Sequence, residues 1–164
     1  VNRDYAGPGT SLAAGDELAL VPPVSGGSGD ANVRARVTEE PLSLQALSSS
    51  VSRRAAGAIV SFQGTAREVA RLDYEAYREM AEERIEAILR DCVDRHGLEA
   101  AAAEHRVGPV ALGESSVIVA VSAGHRGEAF AGAREAIDRI KAEAPIWKKE
   151  IWDGGESWVE GVLP

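Results

Sequence analysis

The run Ser115-Ser116-Val117-Ile118-Val119-Ala120-Val121-Ser122 reads as a strand, and a helix-patterned stretch from about Gly127 to Ala144 follows it and is stopped by Pro145. Beyond Pro145, Ile146 to Trp152 and Ser157 to Val159 read as the last strands, a hairpin around Asp153-Gly154-Gly155. Upstream, Ala101 to Val107 reads as another strand. Before it, Met80, Ala81, Ile85, Ile88, Leu89, Cys92 and Val93 recur at helical spacing from Tyr77 to a closing Gly97. Ala58-Ile59-Val60-Ser61-Phe62 reads as a buried strand ending where Gly64 requires a turn. Pro41 to Ser52 suits a short helix, and Val33, Ala35 and Val37 alternate with Arg34, Arg36 and Thr38 as an edge strand would. This order predicts an α+β domain with a mixed or antiparallel sheet and two main helices on one of its faces.

Residues 1 to 27 stand apart from that pattern. They hold a turn at Gly7-Pro8-Gly9, a strand-like Glu17-Leu18-Ala19-Leu20-Val21, and then Val21-Pro22-Pro23-Val24-Ser25-Gly26-Gly27. One strand cannot fold alone, and Val1-Asn2-Arg3 begins in mid-pattern, so this segment is expected to be the remnant of a unit whose upstream portion is absent. A diglycine without side chains threads easily into a narrow site, but that use needs a free carboxyl at Gly27, and here Ser28-Gly29-Asp30-Ala31-Asn32 follows. Two readings are open from the residues: a flexible linker, or two once-separate proteins joined in one chain. Residues 28 to 40 would then be a linker and edge segment, and 41 to 164 the main domain.

Of the 164 residues 45% are apolar and the net charge is -8, which suits a globular core and argues against nucleic acid or an anionic membrane as partner. The only cysteine, Cys92, cannot form an intrachain disulfide, and no signal peptide or long apolar span is visible, so a cytoplasmic setting is expected. No cysteine-histidine metal spacing, glycine-rich phosphate loop or serine triad appears, and no cofactor or metal is expected.

Lys141 is the most informative polar side chain. At 100° per residue Phe130, Ala133, Ile137 and Ala144 share one helix face and Lys141 falls among them. Such an amine is either buried, which is how enzymes prepare a lysine for proton transfer, or it snorkels to water near the helix end. Lys148 and Lys149 are adjacent on a strand and point to opposite faces, so only one can share a site with Lys141. His125 and Arg126 sit where a strand meets a helix N-terminus, a place that attracts anions, and Arg67 lies just past Phe62-Gln63-Gly64-Thr65-Ala66 at a strand end. Five basic groups at element ends of an acidic chain suggest a pocket for a phosphorylated or carboxylated small molecule. His105-Arg106, inside a strand before Gly108, is assigned to structure.

With these residues in hand a resemblance can be named. Gly57-Ala58-Ile59-Val60 with Phe62, Gly64 and Arg67, then Leu72 to Tyr77 with Met80-Ala81, His105-Arg106-Val107-Gly108, Gly124-His125-Arg126 with Ala129-Phe130, and Ala144-Pro145-Ile146-Trp147-Lys148-Lys149-Glu150 leading to Trp158-Val159-Glu160-Gly161 occur in one order. Residues 41 to 161 resemble the large subunit of molybdopterin synthase, and residues 1 to 27 resemble the end of its small, ubiquitin-like sulfur-carrier subunit. The resemblance implies a hammerhead-like α/β domain preceded by the C-terminal fragment of a β-grasp domain. It implies sulfur transfer from a carrier glycine thiocarboxylate to cyclic pyranopterin monophosphate, with Lys141 and Lys148 catalytic and Gly27 as the sulfur-bearing end. Phe62, Thr65, Arg67, His125, Arg126 and Lys149 would bind substrate, the His-Arg pair from a second copy in a homodimer. The carrier would be the chain's own N-terminal part or a separate protein. Between Arg67 and Leu72 this chain has only Glu68-Val69-Ala70-Arg71, where the family carries a longer loop. A non-catalytic domain that binds small anions is the competing class, and a generic acyl or phosphoryl transferase is disfavoured by the lack of a nucleophile-base pair.

Overall fold

The computed structural model describes residues 32–68, 70–152 and 154–159, so the expected strand at Glu17 to Val21 and the diglycine at Gly26-Gly27 lie outside the described residues. The elements run β1 (Val33–Thr38), α1 (Leu44–Ser50), β2 (Ala58–Thr65), β3 (Arg71–Ala76), α2 (Arg78–His96), β4 (Leu98–Arg106), β5 (Gly108–Ala111), β6 (Ser115–Ala123), α3 (Arg126–Glu143), β7 (Ile146–Trp152) and β8 (Gly155–Trp158). The strands form two four-stranded sheets, β1-β4-β6-β2 and β5-β3-β7-β8. In the first, β1 lies parallel to β4 at the edge and the other pairs are antiparallel; the second is antiparallel throughout.

The first sheet is organised by β6, buried from Ser116 to Ala123. Val117, Val119 and Val121 face α2 and α3, while Ile118 and Ala120 face α1 with Leu47 and Val51. Each such aliphatic side chain contributes about 1.5–3 kcal/mol by leaving water. The third helix, α1, starts at Ser43, whose hydroxyl accepts from the Ala46 N–H. It covers the second face of the sheet, while the two main helices, α2 and α3, share the first as expected. Sequence patterning undercounted the strands. β3 and β5 are short and lined by polar or turn residues, and they seed the second sheet, where a single sheet was expected. β4 begins at Leu98, directly after Gly97 closes α2 in the left-handed conformation (φ 61).

α3 meets the sheet through small side chains. Ala129, Gly132, Ala133, Ala136, Ile137 and Ile140 are its buried residues, and a Cβ on Gly132 would come within 2.8 Å of Leu98. Phe130 is 63% exposed and Lys141 is exposed as well. The buried stripe is therefore rotated by about 60° from the one expected, at 100° per residue. Lys141 is not set among core side chains, because alanine and glycine, which carry a weak hydrophobic signal, make the close contact that Phe130 was expected to make.

Another close approach is at Gly57, whose N–H bonds the Ala123 carbonyl at 3.0 Å and where a Cβ would collide with the Gly124 carbonyl oxygen. Gly57→Ala is expected to lower stability by about 1–3 kcal/mol, because backbone must move to relieve the overlap. Gly124→Ala, with nothing within 4 Å of its added Cβ, serves as the control. Urea unfolding midpoints of the two variants check this; equal midpoints would contradict it.

Candidate active site

The two sheets and the end of α3 enclose an open pocket of about 510 Å³. Its walls come from the end of β2 (Gly64, Thr65), the following loop (Arg67, Glu68), β3 (Leu72, Tyr74), the end of β4 (His105), the start of β6 (Ser116, Val117), the last turn of α3 (Ile140, Lys141) and β7 (Ile146 to Lys148, Glu150). Local sequence explains the convergence. A register shift between Gly64 and Thr65 turns β2 out of its ladder with β6, and a side chain at Gly64 would lie 2.8 Å from Val117. Pro145 ends α3 and sends the chain back as β7, so the helix end carrying Lys141 and the strand carrying Lys148 face one space.

Lys141 and Lys148 both line this pocket, as does Arg67. The Lys141 ammonium sits 5.6 Å from the centroid of the Phe62 ring, a cation–π distance, and among the described residues it makes no ion pair. Lys148 lies opposite Tyr74 in the β3–β7 register, and its Nζ is 3.4 Å from Glu150 Oε1. The Arg67 side chain is 83% exposed, and its one ion-pair contact among the described residues is to Glu68 at 3.9 Å. Thr65 lines the pocket too, and Phe62 touches it through Lys141.

Three expected residues are not brought to this place. Lys149 faces the other side of β7, where Nζ lies 3.2 Å from Glu156 and 4.8 Å from the Trp158 ring centroid, as strand alternation requires. His125 is the N-cap of α3 and Arg126 its first residue, and both are exposed. They stand some 24 Å along the helix axis from Lys141, at 1.5 Å per residue.

The structure adds two groups that were not assigned to the site, His105 and Tyr74. Ala101 and Ala103 of β4 face the α2–α3 core, and His105 continues that alternation to the strand end, where it becomes a buried pocket wall. Its Nδ1 is 2.8 Å from the Arg106 carbonyl oxygen, and its ring meets Tyr74 edge-on with centroids 5.0 Å apart. Burial, together with the Lys141 charge, pushes the imidazole down to about 4, against a raising contribution from the Arg106 carbonyl. Burial likewise raises the Tyr74 phenol, offset in part by a hydrogen bond with Ser116 and reinforced by the Glu150 charge. A histidine closing an inward-facing alanine ladder was the available sequence signal. His105 lies inside a strand before Gly108, as expected, and also lines the pocket.

The model of the MoaE protein family matches residues 37–143, and that of the ThiS family matches residues 1–27. The molybdopterin synthase catalytic subunit of Oryza sativa subsp. indica is 50% identical over 112 residues, which are 65% of this chain and 58% of that protein. The chain therefore spans less than two thirds of that relative. The catalytic subunit from Bacillus subtilis (strain 168) is 40% identical over 136 residues, 79% of this chain and 87% of the relative. The crystal structure of molybdopterin synthase from Staphylococcus aureus superposes with a TM-score of 0.74 at 34% identity, covering 76% of this chain and 96% of that one.

The His105 environment sets a pH dependence. Its folded value, about 4, lies below the ordinary 6.5, so below pH 6.5 the unfolded chain binds the proton that the folded chain refuses. Stability from this group is full above pH 6.5 and is lost as pH falls toward 4, by at most about 3 kcal/mol. Urea unfolding between pH 7 and 4 is expected to show a steeper loss for the parent than for His105→Gln; equal slopes would contradict it.

Proposed function

The chain belongs to the MoaE protein family, and on that premise we propose that it acts as the catalytic part of a molybdopterin synthase in molybdenum cofactor biosynthesis. A thiocarboxylate on the terminal glycine of a ubiquitin-like carrier delivers sulfur to cyclic pyranopterin monophosphate, twice, to build the dithiolene of molybdopterin. The observation that carries this reading is the meeting of Lys141, Lys148 and Arg67 in one pocket of a chain with net charge -8.

The roles follow from placement. Lys141 and Lys148 present ammonium groups to one space from a helix end and a strand, and they move protons or stabilise the negative charge that develops as sulfur is transferred. Thr65 at the end of β2 and Arg67 in the loop after it hold the phosphate, and the Phe62 ring lies beside Lys141 and orients it. His125 and Arg126 complete such a pocket only from a second copy, given their distance along α3, so a homodimer is part of the proposal. Lys149 is left out of the substrate contacts because it faces Glu156 and Trp158.

Lys141→Ala is expected to lower turnover with a thiocarboxylated carrier by about 100-fold or more, the usual contribution of a positioned proton-transfer group. Because Lys141 is exposed, stability should stay within about 0.5 kcal/mol of the parent. Near-normal turnover with an intact circular dichroism spectrum would remove Lys141 from the chemistry.

The carrier half of the proposal turns on Gly27. Sulfur loading needs a free carboxyl, and in this sequence Gly27 is bonded to Ser28. Either the chain is cut after Gly27 or a separate carrier docks in its place; the ThiS match over residues 1–27 supports the cut. Mass spectrometry of the protein from its host is expected to find a fragment ending at Gly27 and a companion heavier by one sulfur-for-oxygen replacement. Finding only the uncut chain in cells that make active cofactor, with the purified chain needing an added carrier, would make the N-terminal segment a vestige.

A further inference from the structure

His105 is a polar side chain that the proposed chemistry leaves unused. It is buried, yet it forms part of the pocket wall. A carbonyl oxygen only accepts, so the 2.8 Å contact of Nδ1 with the Arg106 carbonyl assigns the ring proton to Nδ1. A neutral imidazole with that tautomer carries its lone pair on Nε2. The Nδ1 contact is the ring's one hydrogen bond among the described residues. Among the described residues the side-chain polar atoms sealed from solvent without a partner are Arg36 Nε, Asp73 Oδ1, Arg106 Nε and Ser122 Oγ, and Nε2 is not one of them. His105 lines the pocket, and its Nδ1 is already engaged by the Arg106 carbonyl, which leaves Nε2 as the nitrogen available to a ligand.

The surroundings give this acceptor a distinct role. Arg67, Lys141 and Lys148 offer donors and positive charge, and the Glu150 carboxylate is engaged by Lys148. A carboxylate on the inner wall would repel an anionic substrate, whereas a neutral imidazole does not. Beside it stands the Tyr74 ring, an apolar surface for a planar group. The pocket thus combines cationic side chains for a phosphate with His105 and Tyr74, two side chains without formal charge, of which His105 can accept one hydrogen bond.

We propose that His105 is a specificity-determining residue, whose Nε2 accepts a hydrogen bond from a ring N–H of the substrate heterocycle and so selects a planar ligand with a donor edge. The proposal rests on the reading of this pocket as the substrate site. A buried acceptor left unpaired by a ligand without that donor makes the discrimination large for one contact.

Two substitutions separate this role from a structural one. His105→Asn keeps a donor near Nδ1 for the Arg106 carbonyl and deletes the pocket acceptor; His105→Gln places an amide oxygen near Nε2 and gives up the Arg106 contact. Calorimetry on the full chain would measure binding of free pterin and of inorganic phosphate, with thermal melting as a fold check. His105→Asn is expected to weaken pterin about tenfold and leave phosphate within about twofold, and His105→Gln to keep most of the pterin affinity. If both variants bind pterin as the parent does, or if Gln loses it and Asn keeps it, His105 serves structure and the proposal is overturned while the substrate-site reading stands. A parent chain that binds neither pterin nor phosphate would overturn both.

Discussion

The strand β6 has no exposed face, and the rest of the molecule is arranged to keep it so. Val117, Val119 and Val121 require cover on one side and Ile118 and Ala120 on the other. The chain answers with α2 and α3 on the first side and α1 on the second. On its flanks β2 and β4 satisfy its backbone groups, as buried N–H and C=O groups demand. Because α3 closes onto this sheet through Ala129, Gly132 and Ala136, it lies close enough for its final turn to overhang the end of the sheet. That overhang, met by β7 after Pro145, is what makes a pocket at the start of β6.

Charge is distributed in a way that matters for the same place. On the outer surface of α2 and α3 nearly every cation is neutralised. Arg95 bonds Glu135 at 2.6 Å and Asp91 at 2.9 Å, Arg139 holds Glu143 at 2.9 Å and also bonds Asp91, and Arg84 reaches Glu143. Exposed pairs of this kind add little stability individually, so their main effect is to cancel fields and fix the helix pair. The Arg139 guanidinium holds the Glu143 carboxyl below its usual range, a local sign of that cancellation. At the pocket the pattern differs: Arg67 is loosely held by Glu68, and Lys141, which makes no ion pair among the described residues, lies beside the Phe62 ring. A chain that is acidic overall therefore keeps uncancelled positive charge in one concave place.

Much of the architecture was legible because it follows from long, strongly patterned segments. The two main helices, their stops at Gly97 and Pro145, and the strands at Ala58, Ala101, Ser115 and Ile146 fall within a few residues of their expected places. β3 escaped although Leu72, Tyr74 and Ala76 alternate with Arg71, Asp73 and Glu75, a readable period of two, whereas Gly108 to Ala111 is too short to show one. The helix face was misread for a different reason: packing chose the smallest side chains, and residue size misled. Among site residues, alternation alone separates Lys148 from Lys149 and turns His105 inward after Ala101 and Ala103, whereas the pairings of Lys141 with Phe62 and of His105 with Tyr74 depend on contacts between distant segments. The end-to-end separation of His125 and Lys141 on a single helix was also readable, from helical rise alone.

The exposure of Lys141 has a mechanistic consequence of its own. A lysine made reactive by burial would be ready in the isolated chain, but here the ammonium faces an open pocket and is shielded on one side by Phe62. Under the proposed reaction the water around it must be removed by whatever fills the pocket. A carrier tail of bare glycines is suited to this, since it can lie against both lysines and close the opening without a steric penalty. Excluding water would strengthen the interaction of both ammonium groups with the thiocarboxylate and with charge developing on the substrate. Catalytic competence would then belong to the filled site, and an empty chain would present Lys141 beside Phe62 and Lys148 beside Glu150 in an open pocket. Under the proposed function that arrangement would couple sulfur delivery to activation, since the group that brings the sulfur would also dry the site.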